Sequence, residues 1–462
     1  MGRTRNVRLE AVVKEVGLPQ ARLVARFRAV AAENGAHELD ATNQSSIARW
    51  IGGTKPSGRA PGILCETLSR GLGRVVTLAD IGLAPESGTE LEPPEWSVDT
   101  LTTLVTLGGT DMDMDRRRVL VNSAYSVAGL ALPNESCWEE AAERARSRKP
   151  LSMHTVTAQD VENVQEMAAF FSRRDQQRGG RGVGRSALVA YLRNEVAEFL
   201  SGHYPSENVR RAMSSAAGEL AYLAGWTAFD AGEHTVALQW FRVGTQLAEE
   251  AGDAPLAGHI IRAMAHQAVD LNQPGEAVRL SEDSLSARRY TNATWRERAL
   301  LGVVHARGLA ATGQKKAALA TLLQAESDLS HASGGDDEPG RVFFFGEASL
   351  AHETAAALRD LGDPKGAERQ FQHSVRTRRQ QFQRTHSVTL GYLGAVQIQQ
   401  GQLDAACATW HRALDAMAGV QSGRARETVV QMRRALSPFR NRAGSHVTEL
   451  DAKARAVLGN VA

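Results

Sequence analysis

The chain has 462 residues, of which 42% are hydrophobic, 5% aromatic and 23% charged; it is too long for one hydrophobic core and too apolar for a disordered chain. The formal net charge is +2. Residues 1–83 carry 12 Lys and Arg against 7 Asp and Glu, and the remainder 42 against 45, so the basic excess lies at the N-terminal end, where it suits a nucleic-acid surface. No apolar run approaches the ~18 residues of a membrane span. Met1-Gly2-Arg3-Thr4-Arg5 leads into charged helical sequence rather than a signal peptide. Cys65, Cys137 and Cys407 are too far apart for a disulfide ladder or a metal finger. The expectation is a cytoplasmic protein with no membrane contact, no metal and no cofactor.

The first 83 residues read as short helices. Leu9, Val12, Val13 and Val16 form one apolar stripe, and Pro19 sits where a second helix begins, a position that needs no N–H donor. That helix carries Leu23, Val24, Phe27 and Val30 at helical spacing. In Asn43-Gln44-Ser45-Ser46-Ile47-Ala48-Arg49-Trp50-Ile51, residues Ile47, Trp50 and Ile51 are expected to be buried. Gln44, Ser45, Ala48 and Arg49 then lie on the other face. Gly52-Gly53 and Pro56 end the helix. Ile63, Leu64 and Leu68 give a fourth helix, and Thr77-Leu78-Ala79-Asp80 a fifth.

Gly17-Leu18-Pro19-Gln20 and Ser46-Ile47-Ala48-Arg49-Trp50 with Gly53 resemble the Cro/repressor (XRE) helix-turn-helix family. The resemblance implies that Gln44, Ser45 and Arg49 read base edges, while Gln20, Asn43, Ser46 and Lys55 hold phosphates. One feature departs from the family: Gln20 and Ile47 are far apart, so the Arg28–Ala41 stretch must lengthen the second helix or add a loop. The bland alternative is a small helical protein-binding domain with the same pattern.

Residues 84–118, with Pro85, Pro93-Pro94, Gly108-Gly109 and the acidic run from Asp111 to Asp115, read as a linker. Residues 119–211 read as a helical connecting or dimerisation region. From 212 to 423 a register recurs five times: Gly225, Gly232, Ala237 and Phe241; Ala265, Asn272, Ala277 and Ser281; Ala306, Gly313, Ala318 and Leu322; Ala355, Gly362, Ala367 and Phe371; Gly394, Gly401, Ala406 and Trp410. The first and third residues of each set, being small, let two antiparallel helices approach closely, the second turns the chain between them, and the bulky fourth fills the seam. The pattern resembles the tetratricopeptide (TPR) repeat, with spacings longer than the usual ~34 residues. Residues 424–462 are expected to cap the array. The fold class is therefore all-α: a five-helix N-terminal domain followed by a TPR-like right-handed α-solenoid.

By that resemblance the first helix of each pair lines a concave face, which places Tyr222, Trp226, His259, Arg262, His266, Arg307, His352 and Arg359 there. Such a wall suits an anionic ligand or a peptide carboxylate. Asp230, Asp270 and Asp360 offer the alternative, neutralising the arginines from within; a plain solvated groove is the other.

Several motifs tempt and fail. Gly179-Gly180-Arg181-Gly182-Val183-Gly184-Arg185-Ser186 imitates a P-loop, but helical rather than strand sequence precedes it. Its block from Phe171 onward also resembles one found in actinobacterial regulators, with packing, dimer contact or ligand closure as its expected use. Asp111, Asp113 and Asp115 imitate an EF-hand, yet Arg116 replaces the required glycine. Arg116-Arg117-Arg118 with the following apolar stretch imitates an export signal but is internal, so a docking helix is expected. His352-Glu353 lacks a second zinc histidine, and no enzyme is expected.

The whole layout resembles the NsdA-like regulators of Streptomyces and, in architecture, the Rap–Rgg–PlcR peptide-responsive group. The resemblance implies a homodimeric, sequence-specific transcription regulator on a double-stranded DNA operator, with a body that senses a signalling peptide or small anionic ligand or binds a partner protein. The alternative is a TPR adaptor that does not bind DNA.

Overall fold

The computed structural model describes residues 5–33, 36–72, 76, 78, 80–83, 96, 98–113, 132–332, 338–439 and 445–460. Among these residues the protein is all-α, and the β-type pairing is an isolated bridge between Thr155 and His203.

The N-terminal unit holds helices α1 (Val7–Val16), α2 (Gln20–Glu33), α3 (Gln44–Ile51) and α4 (Ala60–Leu72). Asn6 caps α1 by accepting from the Leu9 amide, and Gly17 ends it at φ +65°, a conformation open to glycine without a Cβ penalty. Leu9, Val12, Leu23, Val24, Phe27, Val30, Ile47, Ile63, Leu64 and Leu68 form one buried core, the set that helical spacing picks out. Trp50 and Ile51 depart from the expectation: both are only partly buried, with the Trp50 ring 5.5 Å from that of Phe27 at the margin of the core. The extra residues before α3 do both things the spacing allowed. They extend α2 to Glu33 and add a loop with a 3-10 turn (His37–Leu39), fastened where Arg28 Nε donates to the Thr42 carbonyl at 2.7 Å. That turn supplies the fifth helical segment; Leu78 and Asp80, expected to be helical, are turn.

The expected linker is partly helix. Helix α5 (Thr100–Met112) buries Leu101, Leu104 and Leu107 in the core of the large body. Gly108-Gly109, read as a break, instead permits close approach: a Cβ on Gly108 would lie 3.0 Å from the Arg193 Cβ. Residues 84–95 and 114–131, which include the expected export-like docking helix from Arg116, lie outside the described residues.

The body continues with α6 (Glu135–Ser147), α7 (Ala158–Arg178) and α8 (Val183–Tyr191), which runs through a π-helical turn (Leu192–Val196) into α9 (Ala197–Leu200). Five helix pairs follow: α10 (Glu207–Asp230) with α11 (His234–Ala251), and α12 (Ala254–Asp270) with α13 (Pro274–Ser284). After the short α14 (Arg288–Thr291) come α15 (Trp295–Ala311) with α16 (Lys315–His331), α17 (Glu347–Asp360) with α18 (Pro364–Thr377), and α19 (Gln383–Gln399) with α20 (Leu403–Ala416). Helices α21 (Gly423–Leu436) and α22 (Ser445–Asn460) end the array.

The five turns are one turn repeated. Gly232, Asn272, Gly313, Gly362 and Gly401 all have positive φ, and each is followed by an amide that reaches back to the ending helix, as Glu233 does to Ala228 and Gln402 to Gln397. Ala237, Ala277, Ala318, Ala367 and Ala406 are fully buried in the seams. A Cβ on Gly225 would lie 2.6 Å from the Phe241 ring, so the small residue of one helix is the space filled by the bulky residue of the next. Burying a side chain such as Phe241 stabilises the pair by ~1.5–3 kcal/mol.

Candidate functional site

Two places were expected to carry function, and their surroundings differ. On α3, Asn43 accepts from the Ser46 amide at 3.1 Å, and the Ser46 hydroxyl faces the Asn43 amide in a capping box. Ser46 is buried, while Gln44, Ser45, Ala48 and Arg49 are exposed opposite Ile47. Arg49 Nη2 donates to Ser46 Oγ at 3.3 Å, which orients it along the helix. Gln20 and Lys55 are exposed. Lys55 joins Arg5, Arg8 and Gly53-Thr54 around an open cleft of about 270 Å³ at the end of α3. Asn43 and Ser46 therefore have a capping duty apart from any phosphate contact.

In the body, the expected groove wall is an interior. Tyr222, Trp226, His259, Arg262, His266, Arg307 and His352 are all buried, and Arg359 is partly so. Part of the reason is the segment after α16. Its described part, from residue 338 through the 3-10 turn Gly340–Val342, buries Val342 and Phe345. It sends Arg341 to Glu297 (2.8 Å), Glu219 (3.2 Å) and Asp253 (3.3 Å).

The rest of the reason is closure of the array on itself. Helix α7 packs against both α10 and α19. Arg384 at the start of α19 pairs with Asp175 of α7 at 2.9 Å and with Asp230 of α10 at 3.3 Å. Ser422 Oγ donates to Asp230 at 2.8 Å, and Arg181 N to the Gln421 carbonyl at 3.1 Å. Arg424 reaches Asp270 of α12 at 2.7 Å and His266 at 3.0 Å. The last pair and α21 are thereby tied to the first two pairs by charge pairs, of which those of Arg384 are buried.

These pairs decide the fate of the expected anion-binding arginines. Arg307 is neutralised by Glu353 (3.1 Å) and Asp270 (3.5 Å), and Arg359 by Asp360 (2.8 Å). Internal neutralisation is thus the arrangement for those two. Arg262 differs. Its neighbours are the Tyr222 hydroxyl at 3.2 Å, His259 Nε2 at 3.5 Å and the ring faces of Trp226 and Tyr222. Among the described residues no carboxylate pairs with it.

The titrating groups follow their surroundings. Burial pushes His266 down to about 4 and His352 to about 3, and His259 well below the usual imidazole range, so these rings are neutral near pH 7. Burial pushes Glu353 upward, but facing Arg307 overcomes this and holds it at about 2. Asp175 is raised to about 6 by burial and by neighbouring Asp230, against the pull of Arg384.

Sequence reading missed Asp175, Arg384 and Arg424, whose partners come from distant helices, and also Glu353 and Arg378. Asp230 and Asp270 were legible from their repeat position. Two of the failed motifs explain each other: Arg185 of the P-loop imitation pairs with Asp111 of the EF-hand imitation at 2.7 Å, both buried. Trp240 Nε1 donates to the same carboxylate at 2.9 Å, and Glu233 also holds Arg185. The glycines before Arg185 serve packing: a Cβ on Gly180 would lie 2.6 Å from the Thr227 backbone. Asp115 of the EF-hand imitation is outside the described residues.

Fold and site together define an all-helical repeat protein with a small N-terminal helical unit and a TPR-like body. Residues 9–84 match the family model described as the SP15 N-terminal domain. No curated protein matches the chain. Among solved structures, TPR-like repeats of a kinesin light chain protein from Podosopora anserina are 19% identical, covering 45% of this chain and 97% of that one, with a TM-score of 0.32. A Rap protein complexed with Competence and Sporulation Factor is 12% identical, covering 70% and 96%, with a TM-score of 0.40. Among the described residues no helix is long and apolar enough to cross a membrane, and no side-chain cluster could hold a metal ion.

Proposed function

We propose that this protein is a sequence-specific DNA-binding transcription regulator, acting as a cytoplasmic homodimer, in which the N-terminal unit reads an operator and the TPR-like body senses a ligand or partner. The observation that carries the reading is α3: a short, capped helix whose exposed face offers only Gln44, Ser45, Ala48 and Arg49. Small side chains let such a helix enter a major groove, and Arg or Gln then bonds base edges bidentately. Lys55 at the cleft beside it suits a phosphate, while Arg5 on the same wall is held by Glu10 at 2.7 Å. The test is selection of genomic fragments by the purified full chain, followed by mobility shifts across salt. Arg49→Ala is expected to weaken specific binding by ~1–3 kcal/mol and relax sequence preference, whereas Lys55→Ala lowers the salt slope by about one. Unchanged affinity and preference in Arg49→Ala would remove α3 from that role.

A second reading is a protein-binding adaptor. It is favoured by the connection at 34–43 between α2 and α3, which is longer than the three- or four-residue turn of DNA-reading helix pairs. Absence of salt-dependent DNA binding would select it.

A further inference from the structure

Where α12, α17, α18, α19 and α21 come together, the body forms a partly open cavity of about 70 Å³. Its wall includes four guanidiniums, from Arg262, Arg378, Arg384 and Arg424. Two of these have carboxylates: Arg384 has Asp175 and Asp230, and Arg424 has Asp270. Glu353, the acidic side chain on the wall, is already engaged by Arg307.

Arg262 and Arg378 are left over. Arg378 Nη2 donates to the Ala348 carbonyl and to Ser374 Oγ, both at 2.9 Å; these are neutral acceptors. Among the described residues no carboxylate pairs with Arg378, and the buried Nε atoms of both arginines lack a hydrogen-bond partner. Arg262 is 2% exposed. A cation taken out of water without a carboxylate paired to it is costly, and two facing one cavity also repel each other; Glu353 attracts Arg378 but is itself paired with Arg307. Nearby His266 and His352 are neutral and offer no counter-charge. The missing element is negative charge inside the cavity.

The space limits what supplies it. One water needs ~10–15 Å³ of such volume, so the interior of the cavity holds a group of a few heavy atoms. Trp226, Phe344 and Phe345 form its apolar side, and Ser349 adds a hydroxyl. We propose that this cavity binds a small oxyanion, a carboxylate or phosphate group held by Arg262 and Arg378. Because its walls come from both the first and the last repeats, the bound anion strengthens the closure of the array. The proposal rests on the reading of the body as the sensing part.

The test uses the full chain, stripped of anions by exchange into chloride buffer. Inorganic phosphate and benzoate are titrated separately at constant ionic strength, and the melting midpoint and tryptophan fluorescence are followed. The expected result is a saturable rise in midpoint with at least one probe; phosphate alone identifies a phosphate site, and benzoate alone a carboxylate site with an apolar body. Arg262→Gln and Arg378→Gln should each lose that saturable rise while keeping the circular dichroism of the parent. Should Arg262→Gln fail to fold, Arg378→Gln, whose side chain is less buried, decides alone. No saturable rise with either probe, or equal rises in parent and variants, overturns the site. Mobility shifts on the same samples separate the two ideas: DNA binding without an anion response refutes only the site, and an anion response without DNA binding refutes only the regulator reading.

Discussion

Helices α3 and α12 each set polar and charged side chains along one face, and the two faces meet opposite fates. On α3, Gln44, Ser45 and Arg49 stay exposed because only the opposite side of the helix packs on a core. On α12, His259, Arg262 and His266 are buried because other repeats, α21 and the loop carrying Arg341 close over them. Periodicity finds a polar face in both cases. It does not say whether that face is the outside of the molecule or the inside of a closed array.

The contrast is sharpest where closure is broken. Arg384→Ala leaves Asp175 and Asp230 buried without their cation and is expected to destabilise the body by about 3–5 kcal/mol. Hydrogen exchange should rise first around residues 175–178 and 421–424. If those amides stay protected, the charge pairs do not hold the closure.

Ile47→Ala removes a fully buried side chain from the small unit and should cost about 2–5 kcal/mol there. In calorimetry the N-terminal transition should fall while the body's transition stays. A joint shift of both would show that the two regions fold as one.

Gly394→Val forces a side chain into the space of the Trp410 ring and should cost about 1–3 kcal/mol. A melting midpoint equal to the parent's would mean that α19 and α20 are not held as closely as the repeat register requires.

Acid should weaken the body more than the small unit. His266 and His352 have folded-state values of about 4 and about 3, below the unfolded value of about 6.5. The unfolded chain therefore binds more protons in that window, and stability falls as pH drops from 6.5 toward 4. Asp175, raised to about 6, opposes this: it binds a proton more readily when folded, so its own contribution falls as pH rises from about 4 to about 6. Two buried imidazoles outweigh one carboxyl, and His266→Gln should flatten the acid limb measured by melting at stepped pH. An acid limb unchanged in that variant would place the sensitivity elsewhere.

The smallest effect is expected on the open face. Arg49→Ala should change the melting midpoint of the N-terminal unit by no more than the equivalent of about 0.5 kcal/mol, since Arg49 is exposed and its contact with Ser46 is a weak one. A larger loss would mean that α3 uses Arg49 to fold rather than to bind.

By itself the sequence determined the helices, their pairing and the small core. These rest on contacts between residues a few positions or one repeat apart: Gly232, Asn272, Gly313, Gly362 and Gly401 turn the chain because their backbone conformation is local, and Phe241 fits Gly225 because the two helices share one turn. The exposed face of α3 was legible for the same reason. The structure alone decided that the concave wall is closed, that Arg307 and Arg359 are neutralised within the chain, and that Arg262 and Arg378 face a cavity. It also decided that Thr100–Met112 docks as a helix. Those outcomes depend on partners such as Asp175 and Arg384, 209 residues apart. Whether such residues meet is set by the small rotation each repeat adds to the next, and that accumulated angle is written in packing along the whole array rather than in any motif.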